Sequence, residues 1–170
     1  FEWPRISGRF NWAIDWFDAM ARGNDSPALW LRDLEGVDHV FSFAQMAERS
    51  DRLATWLAAQ GVGKGDAVMV VLGNQVELWD AMLAVMKLGA IVLPTAQALQ
   101  SFDLELRVPR AGVTAVIANP EDEAKFGDIS NIVTVTTGAA HGRWRAMADA
   151  QLLPAEPHEV VTDAGDPCLY

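Results

Sequence analysis

Hydrophobic residues recur along the chain in three rhythms, and each rhythm predicts a different element. In FNWAIDWFDAMARG (Phe10 to Gly23), Phe10, Ile14 and Phe17 form one apolar line and Trp12 and Trp16 another. That three- and four-residue spacing predicts a helix ended by Gly23. PALWLRDLEGVDHVFSF predicts two short strands around a turn at Glu35–Gly36, hence a hairpin. Helical spacing returns after Ser42, where Phe43, Met46, Ala47, Ser50, Leu53, Ala54 and Leu57 mark a buried stripe. Ser42 and Gln45 form a capping box: the hydroxyl accepts from an orphan amide of the first turn, and the glutamine reaches back. Gly61 supplies the left-handed residue that stops this helix.

The third rhythm is unbroken. AVMVVLG, after the GVGKGD turn, is apolar at every position, as a parallel strand covered on both faces requires. Asn74 and Glu77 repeat the capping spacing at the head of NQVELWDAMLAVMKLG, which Gly89 closes, and AIVLP is the next strand. Strand, helix and strand with tight connections make a βαβ unit. A second unit follows: SFDLELRVPRAG predicts a short helix that Pro109 ends or kinks, VTAVIA a third buried strand and NIVTVTT a fourth. RWRAMADAQ reads as a helix, PAEPHEVVTDAGDP as an acidic loop, and DPCLY as the first residues of a buried strand. The predicted class is α/β, a mostly parallel sheet with flanking helices plus an N-terminal β-hairpin.

Composition narrows the function more than the fold. With 170 residues the chain is long enough to bury roughly 70% of its unfolded surface. At 51% hydrophobic and 21% charged it is not a disordered chain. A net charge of −10, from 13 basic and 23 acidic residues, excludes a nucleic-acid backbone binder, which needs clustered Lys and Arg. No apolar run approaches the roughly 18 residues of a membrane span. Cys168 is the single cysteine, so no intramolecular disulfide forms, in keeping with a cytoplasmic location. It reads as a small buried strand residue.

The candidates for chemistry have simpler readings. The glycines around Lys64 in GVGKGD follow a helix and precede a strand, the reverse of a phosphate loop, so they form a cap and turn. Gly73 has the right order, strand then helix, but is a lone glycine, and Asn74 is explained as an N-cap. His39, His141 and His158 lack ligand spacing to one another or to Cys168. The acids from Glu156 to Asp166 read as a solvated loop, and Trp12, Trp16 and Trp79 as core packing rather than an interface. No catalytic, cofactor-binding or metal-binding residue is assigned.

MKLGAIVLPT (Met86 to Thr95), after LGNQVELWDAMLAV, resembles the second core motif of the adenylate-forming (AMP-binding) superfamily, matching at Lys87, Gly89, Ala90 and Pro94. FSFAQMAERSDRLATWLAAQGVGKGDAVMVVLGN looks like the first core motif. FNWAIDWFD, PALWL and LQSFDLELRV are most similar to medium-chain and aryl acyl-CoA synthetases. Pro109 departs from the family's continued helix. The resemblance implies that residues 1–170 form the N-terminal portion of the large adenylating domain, with DAGDPCLY leading into the family's phosphate loop. A start at Phe1 rather than Met is read as trimming of the other end.

By that resemblance the parent enzyme joins a carboxylic acid to ATP with Mg, giving acyl-AMP and pyrophosphate, then passes the acyl group to CoA. A carrier-protein thiol is the alternative acceptor. Catalytic roles are not carried onto Lys64, Lys87 or His141, and the 170 residues alone are expected to be inactive. From a different class, the alternative is a stand-alone, non-catalytic acyl- or partner-binding module.

A domain short of the rest of its sheet exposes apolar surface. The isolated chain is therefore expected to self-associate into homo-oligomers, measured by light scattering; a thermally stable monomer would count against the fragment reading.

Overall fold

The computed structural model describes residues 6–170. Five strands form a wholly parallel sheet: β3 (Ala67–Val71), β4 (Ile91–Pro94), β5 (Val113–Ala118), β6 (Val133–Thr136) and β7 (Trp144–Ala146). Their spatial order is β4-β3-β5-β6-β7. The predicted hairpin is β1 (Pro27–Arg32) paired antiparallel with β2 (Asp38–Ser42), Trp30 opposite Val40. The α/β reading stands.

Two crossovers divide the core. α3 (Val76–Lys87) carries the chain from β3 to β4, and α4 (Ser101–Arg110) carries it from β4 back past β3 to β5. Alternate residues of β3 serve two layers, as the two-residue period of a strand demands. Val68 and Val70 pack with Leu53, Leu57, Ala84 and Val85 of α2 (Phe43–Ala59) and α3. Met69 and Val71 pack with Leu104 and Val108 of α4 and with Phe126. β3 is buried at every position, which accounts for its unbroken apolar run.

Local signals held where short-range chemistry decides. Ser42 and Gln45 make the capping box, and Gly61 (φ 97°) ends α2. Gly89 (φ 68°) ends α3 and has a second reason to lack a side chain. A Cβ there would stand 2.7 Å from Thr162 Cγ2 and 3.2 Å from Val161 Cγ2. The segment pressing on it is fixed at the other end of the chain. Phe10 N donates to Thr162 O (3.0 Å), Thr162 Oγ1 donates to Phe10 O (2.7 Å), and Asn11 Nδ2 donates to Met86 O (2.6 Å).

Other expectations need correction. The first helix is π-helical over Trp12–Asp18, with Asn11 as N-cap, and becomes α1 only at Ala19–Ala21. Trp12, Trp16 and Trp79 are 40–51% exposed, so they do not form core. Asn74 is not an N-cap: Gln75 holds that position and makes no side-chain cap bond, because its amide engages Asn119 and Glu77 instead. α4 runs one residue past Pro109, whose missing donor falls in the last turn. RWRAMADAQ is only partly helical. Trp144 and Ala146 turn inward and Arg145 outward, a strand period that pairs with β6, and a 3-10 segment follows at Met147–Leu152.

Cys168 is exposed, not buried. Its carbonyl accepts from Val92 N (2.9 Å), and Tyr170 N donates to Val92 O (3.1 Å). DPCLY therefore runs parallel to β4 through one bridge, Val92 with Leu169, with its side chains uncovered.

Gly89→Ala is expected to lower unfolding stability by about 2–4 kcal/mol, from left-handed strain and overpacking together. Urea denaturation of both proteins measures it.

Candidate functional site

Because β4 and β5 flank β3, the loops leaving the carboxyl ends of β3 and β5 diverge. Such a crevice is where open α/β sheets place ligands. Here neutral side chains bridge it. Gln75 Nε2 donates to Asn119 Oδ1 (3.1 Å), Asn119 Nδ2 donates to Gln75 Oε1 (2.9 Å), and Thr137 Oγ1 donates to Asn119 Oδ1 (2.6 Å). Beside them Gln97 Nε2 donates to Asp122 Oδ2 (3.2 Å), and Lys125 pairs with Asp122 (2.6 Å). Any Cβ at Gly73 would lie 2.9 Å from Gln97 Oε1. This network ties the loops after β3, β5 and β6 together.

On the α2–α3 side the hairpin, the π-helical segment and both helices enclose an apolar groove of about 440 Å³. Trp12, Phe17, Leu29, Met82 and Leu83 line it, and Trp79 and Leu169 stand among the residues around it. Met46, Met82 and Met86 give it unbranched walls that adapt to ligands of different shape. Its walls are almost wholly apolar.

Behind the groove lies a cluster of which the sequence motif marked only Lys87. Lys87 is fully buried, its Nζ 2.6 Å from Asp51 Oδ1, 2.9 Å from Asp18 Oδ1 and 3.2 Å from Ala47 O. Arg22 pairs with Asp18 (2.7 Å) and Asp51 (3.0 Å). Two cations thus balance two carboxylates. Burial pushes the Asp18 carboxyl above its ordinary range, against the pull of Lys87. Asp80, paired with Arg49 at 2.5 Å, is likewise raised by burial and opposed by Arg49. Enclosed by these groups, Lys87 joins the first helix to α2 and α3. The available signal was spacing. Asp51 lies between Ala47 and Ala54 on the α2 stripe, and Asp80 precedes Ala84 and Lys87 on that of α3.

The residues singled out in the sequence are scattered. Lys64 holds the C-terminal segment through Asp166 (2.8 Å) and Val161 O (2.9 Å), and its flanking Gly61 and Gly65 are left-handed turn residues. His39 pairs with Asp33 (3.0 Å), His141 with Glu123 (2.9 Å), and His158 lies near Thr55 Oγ1 (3.3 Å) and Asp51 O (3.2 Å). Among the described residues no group of three or more His, Cys, Asp or Glu is arranged to hold a metal.

Comparison with known proteins gives consistent results. Residues 16–169 match the family described as AMP-binding enzyme. An uncharacterized acyl–CoA ligase of Bacillus subtilis (strain 168) is 29% identical over 130 residues, 75% of this chain and 24% of that protein. The mitochondrial acyl-coenzyme A synthetase ACSM2A of Homo sapiens is 31% identical over 123 residues, 68% of this chain and 21% of that protein. The chain thus spans under a quarter of the length of either relative. A crystal structure of Brucella canis acyl-CoA synthetase superposes with a TM-score of 0.86 at 22% identity, over 96% of this chain and 31% of that one.

Lys87→Met leaves Asp51 fully buried with one cation fewer. The expected loss is about 3–5 kcal/mol of unfolding stability, read from urea midpoints.

Proposed function

The chain belongs to the AMP-binding enzyme family, and from that membership we propose that residues 1–170 are the N-terminal portion of the large adenylating domain of an ATP-dependent carboxylate–CoA ligase. The carrying observation is that the match runs through residues 16–169 and that the relatives are CoA ligases. The parent would condense a carboxylic acid with ATP to acyl-AMP and pyrophosphate, then acylate the thiol of CoA. Magnesium bound to ATP supplies charge neutralisation on the phosphates in such displacements. The described residues do not fit a magnesium site, since no acidic or histidine cluster converges. We place those ligands and the catalytic groups in other parts of the parent.

What these residues contribute is shape and position. The apolar groove suits the body of a fatty or aromatic acid. The Gln75–Asn119–Thr137 network holds the carboxyl edge of the sheet in register for whatever binds there. No helix of the described residues is long and apolar enough to cross a membrane. A cytoplasmic location and self-association through exposed Trp16, Met20 and Trp30 complete the proposal. The groove also favours one second reading, a non-catalytic acyl- or partner-binding module.

Pyrophosphate exchange with ATP and a fatty or aromatic acid separates the two. Residues 1–170 alone are expected to give none, and the full-length product of the source gene is expected to exchange. Exchange by the 170 residues would overturn their inactivity; none by the full-length product with either acid class would favour the binding module.

A further inference from the structure

Toward the β7 edge of the sheet, away from the edge that Leu169 borders, the loops leaving β5 and β6 close on each other. The first becomes a 3-10 segment, Pro120–Phe126, and the second spans residues 137–143. Two ties already hold them together. A Cβ at Gly138 would stand 2.5 Å from Pro120 Cγ, and the Arg143 guanidinium donates to Phe126 O and Ile129 O. His141 N donates to Trp144 O (3.1 Å) and Trp144 N to His141 O (2.8 Å), so a tight turn fixes the backbone at His141. That turn delivers the His141 ring to the carboxylate of Glu123.

Imidazole Nδ1 lies 3.1 Å from Ala139 O, and Nε2 lies 2.9 Å from Glu123 Oε2. A carbonyl only accepts hydrogen bonds, and so does an ionised carboxylate. A neutral imidazole has one N–H and satisfies one of the two; the doubly protonated ring satisfies both. Glu123 itself is buried, and its Oε1 has no hydrogen-bond partner among the described residues. The His141 side chain, by contrast, is 62% exposed, so its protons exchange with water.

Neighbouring charges do not replace the imidazole. On the same segment Asp122 and Lys125 pair with each other (2.6 Å), and Lys125 also donates to Gln97 O. Glu121 and Asp128 are exposed carboxylates. α4 packs on the segment and carries Asp103, Glu105, Arg107 and Arg110. Among the described residues neither these arginines, nor Lys125, nor Arg143 forms an ion pair with Glu123.

We propose that His141 and Glu123 form a proton-operated latch between the loops after β5 and β6, closed while both ring nitrogens carry protons and opened when one proton leaves to solvent. Without that proton a nitrogen lone pair faces a buried carboxylate, which is then left uncompensated at a cost. The closed state binds one proton more than the open state, so acid closes the latch and rising pH opens it. Opening is local, because the Arg143 guanidinium keeps its charge throughout. It frees the loop that follows Thr137, whose hydroxyl belongs to the network bridging the carboxyl edge. The latch needs neither ATP nor CoA and is independent of the ligase reading.

NMR of the 15N-labelled full chain tests it, titrated from about pH 5 to 8, where histidine changes charge. The His141 ring signals are told from those of His39 and His158 by their loss in His141→Gln. At the acid end both His141 nitrogens are expected to be protonated, and relaxation at Ala139, Ala140 and Gly142 to show amides as rigid as those of β6. Toward the alkaline end those three amides are expected to become mobile on the nanosecond scale as the ring loses its proton, while Leu53 and Leu57 of α2 stay rigid. Glu123→Gln offers an amide that donates as well as accepts and so holds either form of the ring. In that variant, and in the exposed substitution His141→Gln, the loop is expected to lose its pH dependence. A ring with a single N–H at the acid end would overturn the proposal. So would loop mobility equal at both ends in the unaltered chain, or a pH dependence that survives in either variant.

Discussion

A lysine ammonium enclosed by two aspartates holds this structure to one arrangement. An unpaired charge in an apolar interior costs several kcal/mol, so Lys87 is tolerable only with Asp51 and Asp18 in place. Asp51 comes from α2, Lys87 from the end of α3, and Asp18 from the segment that becomes α1. Satisfying the ammonium therefore fixes three elements far apart in sequence. Arg22 closes the charge balance from the more exposed side.

That joint explains the groove. The first helix is held against α2 and α3 by charges at Asp18 and Arg22, so its Trp12 and Phe17 end need not be filled tightly. The apolar surface left there is walled by methionines rather than by interlocking branched residues. A second tie, across Gly89, stitches residues 8–11 to residues 162–164 and closes the opposite end of the same layer. The two crossovers impose a different asymmetry: α3 and α4 cover opposite faces of the sheet.

Lys87, Gly89 and Pro94, which carry the motif resemblance to the AMP-binding family, all have structural work in this chain. Lys87 neutralises carboxylates, Gly89 admits Thr162 and Val161, and Pro94 ends β4. The matching motif therefore coincides with an architectural joint of this chain.

The sequence by itself determined the elements whose causes are local: the capping box at Ser42, the left-handed stops at Gly61 and Gly89, the hairpin, and the fully apolar β3. It also determined the class, because unbroken apolar runs alternating with helical stripes leave a covered parallel sheet as the consistent solution. It misjudged Asn74, the strand at Trp144, the burial of Cys168 and the packing of Trp12, Trp16 and Trp79. Each of those depends on partners ten or more residues away: Gln75 turns to Asn119, Trp144 pairs with Thr134, and the tryptophans border a groove instead of a filled core. Asp18, Asp51 and Asp80 carried only a faint sign, polar residues on apolar stripes. Which cation each would meet was settled by folding, since a charge's environment is a property of assembled surfaces and not of sequence spacing.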